Sequence, residues 1–585
     1  MIRAHARRRR RPALVVALAV LGAASLAACT AGPGPERGRP GPGAASAADP
    51  AERPDLRRFY GQELAWRDCG ELLCASLTVP MDYSRPGDGR TFVLPVAKAA
   101  ASAAGRRAGA LVFNPGGPGE RGVQALRDGL AEDLGRGVRE RFDVVAFDPR
   151  GVGESRPALT CRTAGEEEPD GDGTAGGPVA LHPRTAAERA AAVADARATA
   201  AACRKASGPL LPHVGTDDAA RDLDVLRAAL GERRLTYVGW SYGTSLGTSY
   251  AEQFPRRVRA MVLDGAVDPA LDWRQRALSQ SRGFRKAVED YAVSCADTVG
   301  DGCPGATPEE IRALIDRLVE RTERAPLPVD GSAEGLDASG VVAALALSMY
   351  TPEEQWEDLS AALRAADEGD GTALAALAAE PEEGEEDDAA GEGDPSGGTA
   401  GSAAPDGPGG PTGTARPAEP SEPSEPSEPS EPSEPSEPSE SDGPDVPEDN
   451  SEAALIAVNC LDVPHPRDER AYWDALDAAH RAAGAYGTTG VTGELVCKDW
   501  PAGRQRPHRV KADGVPPVLV VGTAGDPATP YEEAVSLARQ FPGGMLLSFE
   551  AAGHTGYGRN ACVDRAVEAY LVDLVKVRPG TTCSG

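Results

Sequence analysis

The sequence predicts an α/β fold: a mostly parallel sheet with helices on both faces, interrupted by a helical cap insertion. Three observations carry this. Short, largely apolar runs recur along the chain, as strands buried on both faces read. Helical patterns alternate with them, as crossovers between parallel strands require. The alternation breaks off between about residues 272 and 512 and then resumes.

The first segment is read as a leader. Arg7–Arg11 form a basic run, followed by ALVVALAVLGAASLAAC, too short and too rich in small residues for a comfortable membrane span. It ends Leu26-Ala27-Ala28-Cys29 and resembles the lipobox of bacterial lipoproteins. Residues 1–28 are thus expected to be a lipoprotein signal peptide, and Cys29 the lipidation site. The protein would sit on the extracellular side of the cell membrane, lipid-anchored or secreted. Residues 29–57 are Gly/Pro/Ala-rich and read as a flexible tether.

The first part of the core is expected over 58–271. Its strands are FVLPVAKA (92–99), ALVFNP (110–115), FDVVAFD (142–148), LTYVGW (235–240) and AMVLDG (260–265). A helix follows Thr216, read as its N-cap, with Asp217 and Asp218 in the first turn and Gly231 at its end. The helical cap is placed at 272–376, with helices near 274–295, 308–325 and 352–367. The core returns over 513–585 with PVLVVG (517–522), LLSFEAAG (546–553) and an amphipathic helix around 563–575.

Between them lie a disordered acidic and Pro-rich insertion, 377–452, and a cap return segment, 453–512. The repeated Ser-Glu-Pro triplet cannot bury a core; its prolines and like charges favour an extended, solvated spacer. Residues 380–449 hold 22 acidic residues and one Arg, and so carry −21 of the formal net charge of −29. An acidic chain of this kind argues against nucleic acid as a partner.

Export predicts oxidised cysteines. Of eleven, Cys29 is assigned to lipid, which leaves an even set. Sequence does not fix their connectivity; nearest-neighbour pairing is the simplest scheme. It joins Cys69 to Cys74, Cys161 to Cys203, Cys295 to Cys303, Cys460 to Cys497 and Cys562 to Cys583. No C-x-x-C pair exists, and no metal site or organic cofactor is expected.

Residues 239–247, GWSYGTSLG, match the serine-nucleophile pattern G-x-S-x-G twice. The preceding strand ends at Trp240, which puts Ser241 at the corner, flanked by Gly239 and Gly243. Ser245 falls one helical turn later and is expected to point back toward the sheet as a packing residue. Ser241 is the nucleophile candidate. His554, after the last apolar strand, is the candidate base. Asp526 and Asp264 both end strands; Asp526 is preferred as the acid because its strand directly precedes that of His554, and Asp264 is read as loop-fixing. The order Ser, acid, His is the one such folds use. The glycine-rich stretch 114–119 follows a strand, and the N–H groups of Gly117 and Tyr242 are the expected oxyanion donors. A phosphate-binding reading is poor, because no Lys-Ser/Thr follows and Pro115 and Pro118 lack N–H groups.

Taken together, NPGGPG (114–119), FDPRGVGES (147–155), GWSYGTSLG, VLDGAVDP (262–269), GTAGDPATP (522–530) and AGHTGYG (552–558) resemble the secreted tripeptidyl aminopeptidases. These are relatives of the proline iminopeptidases within the α/β-hydrolase superfamily. The resemblance covers roughly 58–365 and 453–585, including a C-terminal region from Cys460 through Cys497-Lys498-Asp499-Trp500-Pro501. It implies an α/β-hydrolase fold and an exported serine exopeptidase that cleaves short peptides from a free N-terminus under a helical cap. Two features depart from the pattern: Pro115 stands where proline iminopeptidases have a histidine, and the Ser-Glu-Pro insertion falls in the cap. The triad alone specifies acyl transfer, so an esterase or lipase-like hydrolase remains the alternative, and a non-catalytic binding lipoprotein a third. An aminopeptidase needs a carboxylate for the substrate ammonium; Glu353, Glu354, Glu357 and Asp358 are candidates that the sequence does not separate. Expected partners are peptide substrates and, through the lipid, the membrane; a monomer is expected.

Overall fold

The computed structural model describes residues 53–162, 180–299, 302–379, 450–501 and 505–585. Cys29, the tether up to residue 52 and the Ser-Glu-Pro repeat lie outside the described residues.

The strands in chain order are β1 (Arg67–Cys69), β2 (Leu72–Pro80), β3 (Thr91–Ala99), β4 (Gly109–Asn114), β5 (Phe142–Phe147), β6 (Leu235–Trp240), β7 (Val258–Asp264), β8 (Leu327–Val329), β9 (Ser332–Leu336), β10 (Leu519–Gly525), β11 (Met545–Ala552) and β12 (Thr581–Ser584). A ten-stranded sheet runs β1-β2-β3-β5-β4-β6-β7-β10-β11-β12. From β5 to β12 every neighbouring pair is parallel; β1, β2 and β3 add an antiparallel flank, and β8 and β9 form a separate hairpin.

The central strands bury both faces. In β5, Phe142, Val144 and Ala146 enter one core, while Val145 and Phe147 enter the other. That alternation explains why β4 and β5 are apolar at nearly every position. The expected strands 92–99, 110–115, 142–148, 235–240, 260–265, 517–522 and 546–553 all fall on sheet strands, with ends shifted by a few residues. Strands β1, β2 and β12 are absent from the sequence reading. β2 buries alternate residues over only part of its length, and β1 and β12 are short edge strands.

Parallel order has one consequence for chemistry. The C-terminal ends of β4, β6, β7, β10 and β11 lie along a single rim. Register fixes it closely: Asn114 pairs with Gly239, and Trp240 pairs with Asp264.

One helix start differs from expectation. Thr216 is the first residue of the helix Thr216–Ala229, and the N-cap is Gly215, which has no capping side chain. The cap comes from elsewhere in the chain: Asp462 Oδ1 accepts the Thr216 N–H at 2.9 Å. The Thr216 hydroxyl is taken by Asp462 and by the Tyr242 hydroxyl, so it cannot cap its own helix.

Helices Trp273–Ser294, Pro308–Thr322, Ala338–Leu347 and Pro352–Glu368 build a roof with its own buried cluster. Ser451–Asp462 and Glu469–Ala483 continue it after the insertion. The helix Ala186–Ser207, absent from the sequence reading, joins the roof: Ala192 and Val193 pack with Tyr472 and Leu495. Its start was encoded, since Thr185 and Glu188 form a reciprocal capping box. The five nearest-neighbour disulfides are all present.

Candidate active site

Ser241 lies between β6 and the helix Tyr242–Gln253, with φ 50° and ψ −121°. A Cβ at Gly239 would lie 2.4 Å from the Gly243 carbonyl oxygen, and one at Gly243 would lie 2.7 Å from that of Asn114. The turn therefore closes only with both glycines. This separates the overlapping motifs, because Ser245 sits inside a regular helix. The expectation that Ser245 packs back onto the sheet is wrong, however: it is half-buried and lines the cavity beside Ser241. The reason is helical spacing, which puts residues four apart on one face.

The Ser241 N–H donates to the Asp264 carbonyl at 2.9 Å. The next residue, Gly265, approaches the candidate base: a Cβ there would lie 3.0 Å from His554 Cε1. His554 follows β11, and its Nδ1 meets both carboxylate oxygens of Asp526 at 2.9 Å. Because a carboxylate only accepts, Nδ1 carries the proton and Nε2 is left as a lone pair. Nε2 is buried and has no hydrogen-bond partner among the described residues.

Asp526 is locked as well as buried. It accepts from Ala528 N at 3.0 Å, Thr529 N at 2.8 Å and Thr529 Oγ1 at 3.1 Å. Burial works against a charged His554, but the charge and hydrogen bond of Asp526, helped by Asp264, win and raise its pKa above the ordinary histidine value. Asp264 takes a different part, as expected of a loop-fixing group. Its Oδ2 accepts Gly556 N at 3.0 Å and Tyr557 N at 2.7 Å, pinning the loop that carries His554. Burial pushes its own pKa up to about 6.

The glycine-rich loop presses on the serine. A Cβ at Gly116 would lie 3.0 Å from Ser241 Cβ. Gly117 is exposed to the cavity, and Tyr242, as the first helical residue, has no intrahelical acceptor for its N–H. The cavity in front has a volume of about 640 Å³, and Gly117, Ser241 and Tyr242 are on its wall. Tyr350 closes one side and stacks edge-on against His554 with centroids 5.1 Å apart.

Of the candidate acids for an ammonium group, Glu357 and Asp358 are exposed on the roof and do not line the cavity. The side chains of Glu353 and Glu354 lie outside those described. The acids that do line it are Asp195, Glu452, Glu494 and Glu533. Sequence reading missed them because two come from roof helices and two from loops and helices with no motif of their own. Glu494 pairs with His465, and Glu533 accepts from Ser279 and the Asp268 N–H. Asp195 and Glu452 have no partner for their carboxylates among the described residues. His465, Glu494 and Cys497 bring donor atoms within 4.8 Å of one another, but Cys497 is bonded to Cys460 and offers no thiolate to a metal.

A family model described as "alpha/beta hydrolase fold" matches residues 109–299, and one described as "TAP-like protein" matches 483–583. Serine protease Hip1 of Mycobacterium tuberculosis is 34% identical over 553 residues, covering 89% of this chain and 91% of its own. Tripeptidyl aminopeptidase of Streptomyces coelicolor is 31% identical over 534 residues, covering 87% of this chain and 83% of its own. The chain belongs to the TAP-like family of α/β hydrolases. Carboxylesterase B of Mycobacterium tuberculosis is similar too, at 33% identity over 535 residues, 87% of this chain and 88% of its own.

This TAP-like protein is a serine hydrolase by family. Its five disulfides suit an oxidising, extracellular compartment. Among the described residues, no helix is long and apolar enough to cross a membrane.

Proposed function

We propose that this TAP-like hydrolase is an exported serine aminopeptidase that releases tripeptides, or short N-terminal peptides, through an acyl-enzyme. The observation that carries the chemistry is His554, held by Asp526 at Nδ1 with Nε2 unpartnered, on the rim that holds the strained Ser241. Ser241 Oγ attacks the scissile carbonyl as its proton passes to Nε2. The N–H groups of Gly117 and Tyr242 take the developing oxyanion. The imidazolium returns the proton to the leaving amine, and water repeats the sequence on the ester. Ser241 Oγ and His554 Nε2 share no hydrogen bond among the described residues, so this reading requires that one form when substrate fills the cavity.

Peptide substrates are supported by the protease and tripeptidyl aminopeptidase names of the relatives, and by Asp195 and Glu452 as free carboxylates for an ammonium group. Anchoring through Cys29, action as a monomer and independence of cofactors belong to the same reading. A carboxylic ester hydrolase is the second reading, favoured by the carboxylesterase relative.

The experiment compares an Ala-Ala-Pro anilide with a free N-terminus, the same anilide N-acetylated, and a nitrophenyl ester. The proposal expects the free anilide to be cleaved at least about tenfold faster than the blocked one, the worth of one charged pair. Equal cleavage of both anilides, or turnover of the ester alone, defeats it.

A further inference from the structure

Beside the cavity in front of Ser241, and sharing part of its wall, lies a recess of about 50 Å³. Tyr242, Ser245, Val267 and Arg276 line both spaces. If a water needs roughly 10–15 Å³ on this measure, the recess has room for about four, the bulk of a carboxylate and its methylene.

The recess offers donors that the protein leaves unused. Arg276 Nε is buried without an acceptor, and its guanidinium has no hydrogen bond or ion pair among the described residues. Thr248 Oγ1 is also buried and unpartnered, and the Ser245 hydroxyl has no partner among the described residues. Among the described residues Arg276 is the one Lys or Arg on the wall of the main cavity, and Arg506 also lines the recess.

The carboxylates around it are already held. Asp462 is bound by the Thr216 N–H and hydroxyl, Glu533 by the Asp268 N–H and Ser279, and Glu252 by His508 and the Lys511 N–H. None comes within ion-pair distance of Arg276 among the described residues. A buried Nε–H donor with no acceptor costs free energy that a bound anion recovers, most effectively a carboxylate, which matches the guanidinium fork.

We propose that this recess is an anion subsite of the active site, where Arg276, assisted by the Thr248 and Ser245 hydroxyls, binds a carboxylate of the substrate. The proposal rests on the cavity being a peptide site. The carboxylate is either an acidic side chain or the free C-terminus of a short peptide.

The test measures tetrapeptides as competitive ligands against nitrophenyl acetate hydrolysis by the whole protein. One arm compares C-terminal acid with C-terminal amide. The other compares Glu with Gln at each position of the amide. The wild type is expected to prefer the carboxylate member of one arm by about tenfold in Ki, the worth of a charge-assisted contact. Arg276→Met is expected to bring that ratio to about one. If the Met variant does not fold, Arg276→Lys, which lacks the fork, is expected to cut the ratio at least about threefold. No preference in the wild type overturns the subsite, as does a preference that survives both variants. Equal weakening of acids and amides overturns it too, since that marks contact with peptide carbonyls. Tetrapeptides that inhibit without being cleaved would defeat the peptidase reading while leaving the subsite measurable.

Discussion

Ser241 holds a backbone conformation that costs roughly 1–3 kcal/mol in a residue with a side chain. Two close glycine contacts and the Asp264 carbonyl fix it there, so the strain is built into the turn rather than left to the serine. The sequence motif made the position legible; it could not say where Ser245 would face, because that depends on which helix face the cavity meets. At the same scale, Asp526 decides the state of His554. Burial alone would depress the imidazole pKa, and the carboxylate reverses the sign. A base must be neutral, so activity should fall as pH drops through this raised pKa. Asp526→Asn removes the charge and should move the acid limb of kcat/KM to lower pH. It should also lower kcat by about four orders of magnitude, because the imidazole loses its tautomer. A pH–rate profile of the variant checks both; an acid limb that stays or rises would remove Asp526 from its assigned part.

The helix Thr216–Ala229 depends on a residue far away in sequence. Asp462 ends the helix Ser451–Asp462, caps Thr216 in trans, and reaches the Tyr242 hydroxyl through the Thr216 side chain. The roof is thereby tied to the residue beside the candidate nucleophile. Burial raises the Asp462 pKa to about 7, against the Thr216 hydrogen bonds that lower it. An unfolded Asp titrates at about 3.9, so between these values the folded state binds more protons and stability falls as pH rises. Asp462→Asn keeps an acceptor for the Thr216 N–H and removes the titration. Its thermal midpoint should therefore decline less than that of the wild type between about pH 5 and pH 8, an interval that takes in the upper part of this window. Melting curves at both pH values test this, and parallel declines would show that Asp462 does not titrate in that range. The elements themselves were unevenly legible. Buried parallel strands announce themselves as apolar runs, whereas edge strands such as β1 and β12 do not. Thr216 looked like an N-cap because composition shows a hydroxyl before two acids, and only tertiary contact shows the hydroxyl spent elsewhere.

At the scale of the molecule, Ser241 and the pair Asp526 and His554, which stand 28 residues from each other and hundreds from the serine, meet on one rim because the sheet is parallel from β5 to β12. Strand order puts β7 between β6 and β10, which is why Asp264, though nearer to Ser241 in sequence, is left to pin the His554 loop while Asp526 reaches the imidazole. The motifs at residues 241, 526 and 554 were readable because each ends a strand. The roof acids and Arg276 were not, since they lie on helices whose packing, not pattern, aims them inward. Ser241 is the hydroxyl that this assembly activates. Labelling the whole protein with a fluorophosphonate and locating the adduct by peptide mass spectrometry tests it most directly. The adduct is expected on Ser241, with Ser241→Ala unlabelled; an adduct on Ser245, or undiminished labelling of Ser241→Ala, would show that another residue is the nucleophile.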